Sequence, residues 1–516
     1  MTGVRVGRAL RAAGALVVVA ATGAVVLAGA RIEPVPTPAA TPGVVTVPPA
    51  PATAVCPGPL VLPPSTGSGQ FSSTPVPPVT QVAALAVPPD GDTLTGALRS
   101  LDGAKTYATP PAGGGAVGLT DPAGPLVVRA QSSAGTARLA GVTSSVVTAG
   151  DLRGLAAATC VAPTADAWLV GGSTAVGSTA DLVLVNPGST TAEVTVQVWG
   201  PNGPVTLPTA MQLVAPHAST TLSLGGAAPD QRALAVHVVA AGGQVAAYVQ
   251  DSALRGFTPA GVDLVVAGAA PATRQVIPGV DLEASTGDSP DAPVLRLLAP
   301  GDGATTATIT LLGSDGPVDL PGSGSVALAG GQVTDVPLGG LPAGAYTVVV
   351  DAPSPVAVAL EFARTGQPGE LDPTPRVERA WAPAAATGGG LAVPAPGTDT
   401  TLVAGAVAAG DQATATGSFT GTLRLLGRTG AVLTEKNVEI DAASTGAWKL
   451  SDITPDASKV AGIELRAGTS PVAVSWALVA EQTQADGVLV SVLLPAAVAT
   501  GAASVVVRQD PALGVG

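Results

Sequence analysis

The residues that could perform acid–base or nucleophilic chemistry are few in this chain of 516 residues. It contains two histidines, His217 after a proline and His237 between two valines. A catalytic triad needs a histidine close to a nucleophile and to an orienting carboxylate. The sequence contains neither a Gly-x-Ser-x-Gly nor a His-Glu-x-x-His motif. It therefore predicts no catalytic residue, no metal site and no cofactor, with each histidine an ordinary surface or strand residue.

The two cysteines, Cys56 and Cys160, favour a structural disulfide. Outside the cytoplasm, a small and even number of cysteines usually indicates a bridge. Closing a loop of roughly 100 residues contributes about 4–5 kcal/mol in the chain-entropy account. A metal site or a catalytic thiol is the alternative, but no histidine lies between the two positions.

Two sets of residues could bind a ligand. The first is the five tryptophans, for which core packing competes with a stacking platform for sugars: Trp168, Trp199, Trp381, Trp448 and Trp476. The second is an acidic stretch whose carboxylates are the ligand type that Ca²⁺ prefers: Asp281, Glu283, Asp288 and Asp291. Its irregular spacing favours a solvated loop, and binding of Ca²⁺ stays open as the alternative.

The composition excludes several classes of protein. Charged residues make up 11% of the chain, aromatic residues 2%, and the net charge is −13. Nucleic-acid binders need a basic surface, so no nucleic-acid partner is expected. Hydrophobic residues make up 46%, which is too many for a disordered chain.

The N-terminus reads as an export signal. Arg5, Arg8 and Arg11 precede an uncharged stretch over 12–30. As a helix this stretch is roughly 28 Å long, enough for a bilayer core. The sequence predicts a signal peptide or membrane anchor over 1–31, with the cytoplasmic membrane as partner through 12–30 and the rest of the chain outside the cytoplasm. A small-residue cleavage site keeps cleaved secretion open.

The elements that carry these residues repeat along the chain. A strand end followed by a glycine turn recurs at Gly200, Gly313 and Gly427, at intervals of 113 and 114 residues. Runs such as 192–199 alternate apolar and polar residues, which is typical of antiparallel strands covering one core. About seven such strands per repeat indicate an immunoglobulin-like sandwich.

The predicted fold is therefore all-β, with tandem immunoglobulin-like antiparallel β-sandwich repeats of about 113 residues. We expect a proline-rich extended linker over 32–55 and four units: 56–160 (degenerate and closed by the disulfide), 161–272, 273–378 and 379–516 with a C-terminal strand extension. Linkers are predicted near 253–274 and 364–379. Each unit should contact only its neighbours, as in an extended array.

The chain resembles a family of exported actinobacterial envelope proteins of unknown function. The resemblance is carried by the N-terminal apolar segment, the cysteine pair, the stretch 168–172 and the Asn186-Pro187 turn with its flanking strands. It implies an envelope role, and the family has no established activity and no catalytic residues to carry over.

Three functions compete at this point. One is a non-enzymatic, tethered envelope scaffold, spacer or binding array. Another is a glycan-binding accessory of envelope polysaccharide synthesis, and an envelope hydrolase is the third, weaker alternative. Envelope glycan or protein is the expected partner.

Overall fold

A computed structural model describes residues 3–29, 43–47, 50–62, 76–133, 135–320, 322, 324–368, 373–409, 416–497 and 503–507. The chain forms two compact units. One comprises Met1–Val47 with Ala503–Gly516, and the other comprises Pro48–Ala502.

The described elements follow one another in chain order. Helix α1 (Gly3–Gly29) and strand β1 (Gly43–Val47) come first. Segment 1 (52–159) contains β2 (Ala52–Cys56), β3 (Val79–Val87), β4 (Leu94–Ser100), β5 (Thr106–Ala108), β6 (Gly115–Thr120), β7 (Leu126–Ser132), β8 (Arg138–Val147) and β9 (Gly154–Thr159). Segment 2 (166–266) contains β10 (Asp166–Val170), β11 (Ser178–Asn186), β12 (Ala192–Gly200), β13 (Gly203–Val205), β14 (Met211–Val214), β15 (Ala218–Ser223), α2 (Leu224–Ala227), β16 (Ala235–Ala241), β17 (Ala246–Arg255) and β18 (Thr258–Val266).

The second half of the chain continues in the same way. Segment 3 (272–383) contains β19 (Ala272–Leu282), β20 (Val294–Leu298), β21 (Thr305–Gly313), β22 (Gly316–Val318), β23 (Ser325–Leu328), β24 (Val333–Pro337), β25 (Gly344–Pro368) and β26 (Pro375–Pro383). Segment 4 (390–493) contains β27 (Gly390–Ala392), β28 (Asp399–Ala408), β29 (Ser418–Gly427), β30 (Val432–Asp441), β31 (Thr445–Lys449), α3 (Leu450–Ile453), a short 3-10 helix (Ala457–Lys459), β32 (Val460–Ala467), β33 (Val472–Gln484) and β34 (Gly487–Leu493). Strands β35 (Ala496–Ala497) and β36 (Ala503–Val507) end the described chain.

In the N-terminal unit, the apolar stretch predicted to act as signal or anchor lies on α1, and β1 pairs with β36 in an antiparallel ladder. Among the described residues, no helix is long and apolar enough to cross a membrane.

All four segments have the same strand order, and every ladder is antiparallel. In segment 1, one sheet runs β2-β7-β4-β5 and the other β6-β3-β8-β9. Segment 2 repeats this order as β10-β16-β12-β13, with β14 also on β12, and β15-β11-β17-β18. Segment 4 repeats it as β27-β32-β29-β30 and β31-β28-β33-β34. The prediction of an antiparallel β protein is confirmed in its coarser form, since the described chain is mostly β with antiparallel sheets.

Segment 3 departs from this plan in one feature. The single strand β25, with 25 residues, takes the place of two strands of the other segments. Its first part pairs with β19 and β21, and its second part pairs with β20 and β26. The two sheets are thereby joined into one eight-stranded sheet.

The predicted alternation and turns are present. In β12, Val194, Val196 and Val198 are buried, whereas Glu193 and Gln197 are exposed. The buried face packs on the second sheet of segment 2. At the three predicted turns, Gly203, Gly316 and Gly430 have φ of 115°, 116° and 75°, a backbone region that favours glycine.

The four segments close on one another within Pro48–Ala502. The last strand of each segment, β9, β18, β26 and β34, contacts the last strands of two other segments, so that β34 of segment 4 returns to β9 of segment 1. Leu85 and Leu155 of segment 1 share a buried cluster with Trp476 and Phe419 of segment 4. The expectation of contacts between neighbours only is therefore wrong. Period-two patterns define each sheet's faces but not which outer faces are covered.

The predicted linkers also differ from the structure. Gly43–Val47, inside the predicted linker over 32–55, and Ala52–Cys56, which begins inside it, are paired strands. Their own residues carry no proline, so their N–H groups are free to bond. Most of the remaining predicted linker, 32–42, lies outside the described residues. The predicted linkers near 253–274 and 364–379 are largely strands, and the predicted boundary at 378 falls inside β26. Here the glycines and prolines mark hairpins.

Candidate functional site

Cys56 and Cys160 form a disulfide in segment 1, as predicted. Cys56 ends β2 of one sheet, and Cys160 follows β9 of the other. The bridge therefore ties the two sheets together. Both cysteines are buried, and neither sulfur is available as a thiol.

The outer face of the β10-β16-β12 sheet carries two half-buried rings, Trp168 and His237, that we call the aromatic face, and the buried ring of Trp199 packs beside them. The rings of Trp168 and His237 are stacked with centroids 3.9 Å apart. The rings of Trp168 and Trp199 are also stacked, at 5.4 Å. Register explains the first pair, because Trp168 and His237 are opposite each other on neighbouring strands.

Polar groups border the aromatic face. The Nε2 atom of His237 lies 2.9 Å from the Asp166 carboxylate, and its Nδ1 atom lies 3.1 Å from the Gln197 side-chain oxygen. The Asp166 side chain is 56% exposed, whereas that of His237 is 14% exposed. A half-buried indole beside an exposed carboxylate and amide matches what a sugar ring offers, an apolar face with hydroxyl groups around its edge.

The tryptophans divide between core and surface. Trp199, Trp381 and Trp476 are 8%, 3% and 1% exposed, so the core interpretation holds for them. Trp168 and Trp448 are half-buried. The sequence treats His237 as an ordinary strand residue, but the structure places its ring against Trp168. The alternating pattern gives its face, but not the neighbouring strand.

His217 lies away from the aromatic face, in the turn before β15. Its φ is 55°, a left-handed conformation that is uncommon for a residue other than glycine. Its side chain is exposed.

A buried cluster of charged side chains joins the last strands of the segments. Asp263 of β18 accepts hydrogen bonds from the Trp381 N–H of β26 at 2.8 Å and from the Ser491 hydroxyl of β34 at 2.9 Å. Glu378 of β26 accepts the Leu155 N–H of β9 at 2.8 Å. Each last strand is an edge strand, so these N–H groups have no strand partner on that side. The carboxylates take the place of a neighbouring strand.

Burial shifts the protonation of this cluster. Loss of water raises the pKa of Asp263 to about 7, against the opposing effect of its hydrogen bonds. Burial also raises the pKa of Glu378 well above its usual value, although Leu155 and Arg153 oppose it. Both side chains are at most 3% exposed. Because they bond backbone groups rather than facing a cleft, their geometry is that of structural caps.

The sequence did not predict these acids. The available signal was a lone carboxylate inside an apolar run, as in Val262-Asp263-Leu264. Charged residues are rarely buried unless they are paired.

The acidic residues predicted to share one solvated loop form ion pairs with two different arginines. Asp281 lies on β19, where it pairs with Arg364 at 2.7 Å, and Glu283 lies 3.9 Å from the same guanidinium. Asp291 pairs with Arg255. Within the described part of the chain, no group of three or more His, Cys, Asp or Glu could hold a metal ion.

Fold and site together define a class: a β-protein of four segments, closed by buried charges and bearing an outward aromatic face. Residues 116–451 match DUF5719, a family of unknown function, and the chain belongs to that family. The matched range starts in segment 1, ends in segment 4 and includes the aromatic face and the buried acids. No curated protein matches the sequence.

Proposed function

We propose that this chain is a non-enzymatic protein of the cell envelope, located outside the cytoplasm, that acts as a compact scaffold with a binding face. The observation that carries the proposal is the ion pair between Arg153 of segment 1 and Asp486 of segment 4. Two hydrogen bonds of 2.7 Å join the guanidinium to the carboxylate. Paired bonds of this kind fix orientation as well as distance.

Other ion pairs support the same picture. Arg379 of segment 3 contacts Asp251 of segment 2 at 3.2 Å, and Arg364 of segment 3 contacts Glu481 of segment 4 at 2.8 Å. The arginine side chains are at most 17% exposed. Four segments held in this way keep their outer faces in fixed positions, which a scaffold requires.

Location outside the cytoplasm is supported by the disulfide, because disulfides persist in oxidising compartments. The basic start and apolar stretch over 12–30 support export through the cytoplasmic membrane. In this proposal 12–30 tethers the protein to that membrane, and cleaved secretion is the alternative. An actinobacterial envelope is the proposed setting.

We also propose that each segment is an immunoglobulin-like sandwich derived from one repeat of about 113 residues. The shared strand order of the four segments supports a common unit. The spacing of the glycine turns supports its length.

The aromatic face favours a second, compatible candidate, binding of an envelope glycan. Trp168 offers an indole surface that is not fully buried, next to the exposed side chains of Asp166 and Gln197. Stacking of a sugar on such a ring requires no catalytic group.

The test uses the full chain, purified in detergent, and isolated cell-wall glycan. We expect the glycan to be retained without turnover. Trp168→Ala should weaken retention about tenfold, the equivalent of roughly 1.4 kcal/mol. Trp448→Ala, which removes a half-buried indole from segment 4, is the matched control and should have no effect.

Two outcomes would contradict these proposals. Glycan turnover that is lost on Asp166→Asn would overturn the non-enzymatic scaffold. Equal retention by Trp168→Ala and the unsubstituted chain would refute the glycan face and leave the scaffold standing.

A further inference from the structure

A groove lies between segments 1 and 2, apart from the aromatic face, and we call it the basic groove. It encloses about 670 Å³. Its floor is the outer face of β4 and β7, and its opposite wall contains Pro187 and His217 of segment 2. This volume lies within the range of roughly 300–1,000 Å³ typical of ligand sites.

The floor presents two arginines side by side. Arg99 is opposite Val127, and Arg129 is opposite Ala97, so both arginines lie on the same face of the sheet in diagonal positions. Diagonal neighbours on adjacent strands are about 7–8 Å apart, within reach of two long side chains acting on one ligand. Ala97, which lies opposite Arg129 on the same face, has a small side chain and leaves the floor beside the arginines open.

The charge of the basic groove contrasts with that of the whole chain, whose net charge is −13. Arg99 is exposed, and its side chain has neither an ion pair nor a hydrogen bond with any residue that the structure describes. Arg129 donates one hydrogen bond, of 3.0 Å, to the Pro187 carbonyl. The groove also contains one carboxylate, that of Asp102, which accepts hydrogen bonds from the Ser100 hydroxyl and the Ala104 N–H.

The hydrogen bonds of Asn186 hold the turn that forms the wall opposite the arginines. Its side-chain nitrogen donates to the Thr190 carbonyl at 2.8 Å and to the Val214 carbonyl at 3.0 Å. Its oxygen accepts the Gly188 N–H at 2.9 Å. Asn186 is fully buried, so these bonds fix the turn.

The same turn fixes both groups that line the wall. Pro187 follows Asn186 directly and holds Arg129 through its carbonyl. Gly188 accepts the His217 N–H at 3.2 Å. The Asn186-Pro187 motif therefore acts as a positioning element for the groove.

From this arrangement we infer that the basic groove binds an anionic polymer segment through carboxylate or phosphate groups held by Arg99 and Arg129. Guanidinium groups match both anions with paired hydrogen bonds. The groove is larger than one small anion needs, which favours a segment of a chain. The inference does not depend on the aromatic face.

The experiment measures binding to the full chain in detergent by calorimetry at low salt. The probes are an oligogalacturonate, which carries carboxylates, a poly(glycerol phosphate) oligomer, which carries phosphates, and neutral maltohexaose. We expect one anionic probe to bind and maltohexaose not to bind. The preferred anionic probe identifies the group that is recognised.

Arg99→Gln with Arg129→Gln should weaken that binding about tenfold or more, since two charge-assisted contacts are lost. Arg232→Gln, which removes an exposed arginine of segment 2 outside the groove, is the matched control. Unchanged thermal unfolding verifies that the variants fold. Arg99→Gln alone, at an exposed position without a partner in the described chain, gives a second test that does not touch the Arg129–Pro187 contact.

Three results would overturn the inference: no binding of either anionic probe, equal weakening by Arg232→Gln, or loss of binding in Trp168→Ala with the double variant unaffected. The last result would transfer the binding to the aromatic face. Conversely, a Trp168→Ala variant that keeps the anionic probe and loses cell-wall glycan would separate the two sites.

Discussion

Segments 1 and 4 share a strand order but are stabilised in different ways. The internal core of segment 1 contains small and aliphatic side chains, such as Ala84, Leu98 and Val128, with the disulfide among them. The core of segment 4 contains Trp476 and Phe419. Aromatic side chains bury more apolar area than aliphatic ones do. A covalent link in one segment thus takes the place of large rings in the other.

The two segments also differ in what covers their sheets. Ala156 and Ala158 of β9 pack in a cluster shared with segment 2, and Leu155 and Ala157 pack in the cluster shared with segment 4. The sheet that ends in β9 is therefore covered on both faces. Segment 1 depends on its neighbours as well as on its bridge.

Among the variants that test this comparison, removal of the disulfide should lower the free energy of unfolding the most. In Cys56→Ser with Cys160→Ser, the bridge across 104 residues is lost. We expect a loss of roughly 4–5 kcal/mol from the chain-entropy contribution. Hydrogen exchange should show segment 1 opening before segment 4. If both segments exchange as in the unsubstituted protein, the bridge does not compensate for the missing rings.

Trp476→Ala should have the next largest effect, and in the other segment. Deleting a buried tryptophan side chain costs about 3–5 kcal/mol through lost burial and a cavity. Urea unfolding followed by hydrogen exchange should show segment 4 opening first. Trp448→Ala, a half-buried tryptophan of the same segment, is the control and should cost clearly less. Equal costs for the two variants would mean that Trp476 is not the core of segment 4.

Asp263→Asn should have the smallest effect at a single pH but should change the pH profile. The pKa of Asp263 is raised from 3.8 to about 7 by burial. Between these values the folded protein binds a proton that the unfolded chain releases. Stability from this group is therefore greatest below pH 3.8, falls as the pH rises to about 7, and is constant above that.

Asn mimics the protonated carboxyl and should flatten this part of the profile. The measurement is the unfolding free energy in urea from pH 4 to 8. Asp302→Asn, at an exposed acid, is the control and should keep the slope. An unchanged slope in Asp263→Asn would show that Asp263 is ionised throughout.

Part of this structure could be predicted from sequence because its causes are local. The turns at Gly203 and Gly316 follow from residues that adopt positive φ, and the faces of β12 follow from its alternation. The disulfide follows from the presence of only two cysteines.

The rest depends on contacts between distant residues. Trp168 and His237 meet because β16 lies between β10 and β12, an order that alternation alone does not specify. The Leu155 N–H meets Glu378 across 223 residues of sequence. The prolines and glycines between segments fit hairpins and linkers equally well, so the extended array was a reasonable but wrong expectation.

The contact between β9 of segment 1 and β34 of segment 4 affects how fast the chain can complete its fold. The Ala157 N–H of β9 bonds the Ser491 hydroxyl, 334 residues later in the chain. If the chain is exported in order from the residues that follow its N-terminal apolar stretch, segment 1 emerges long before that partner. Its alanine-rich strand must then wait with an open edge, a state prone to wrong pairing. We therefore expect slow folding of the complete chain, because the contact between segments 1 and 4 joins residues far apart in sequence. The disulfide of segment 1 restricts the conformations of that segment until segment 4 is available.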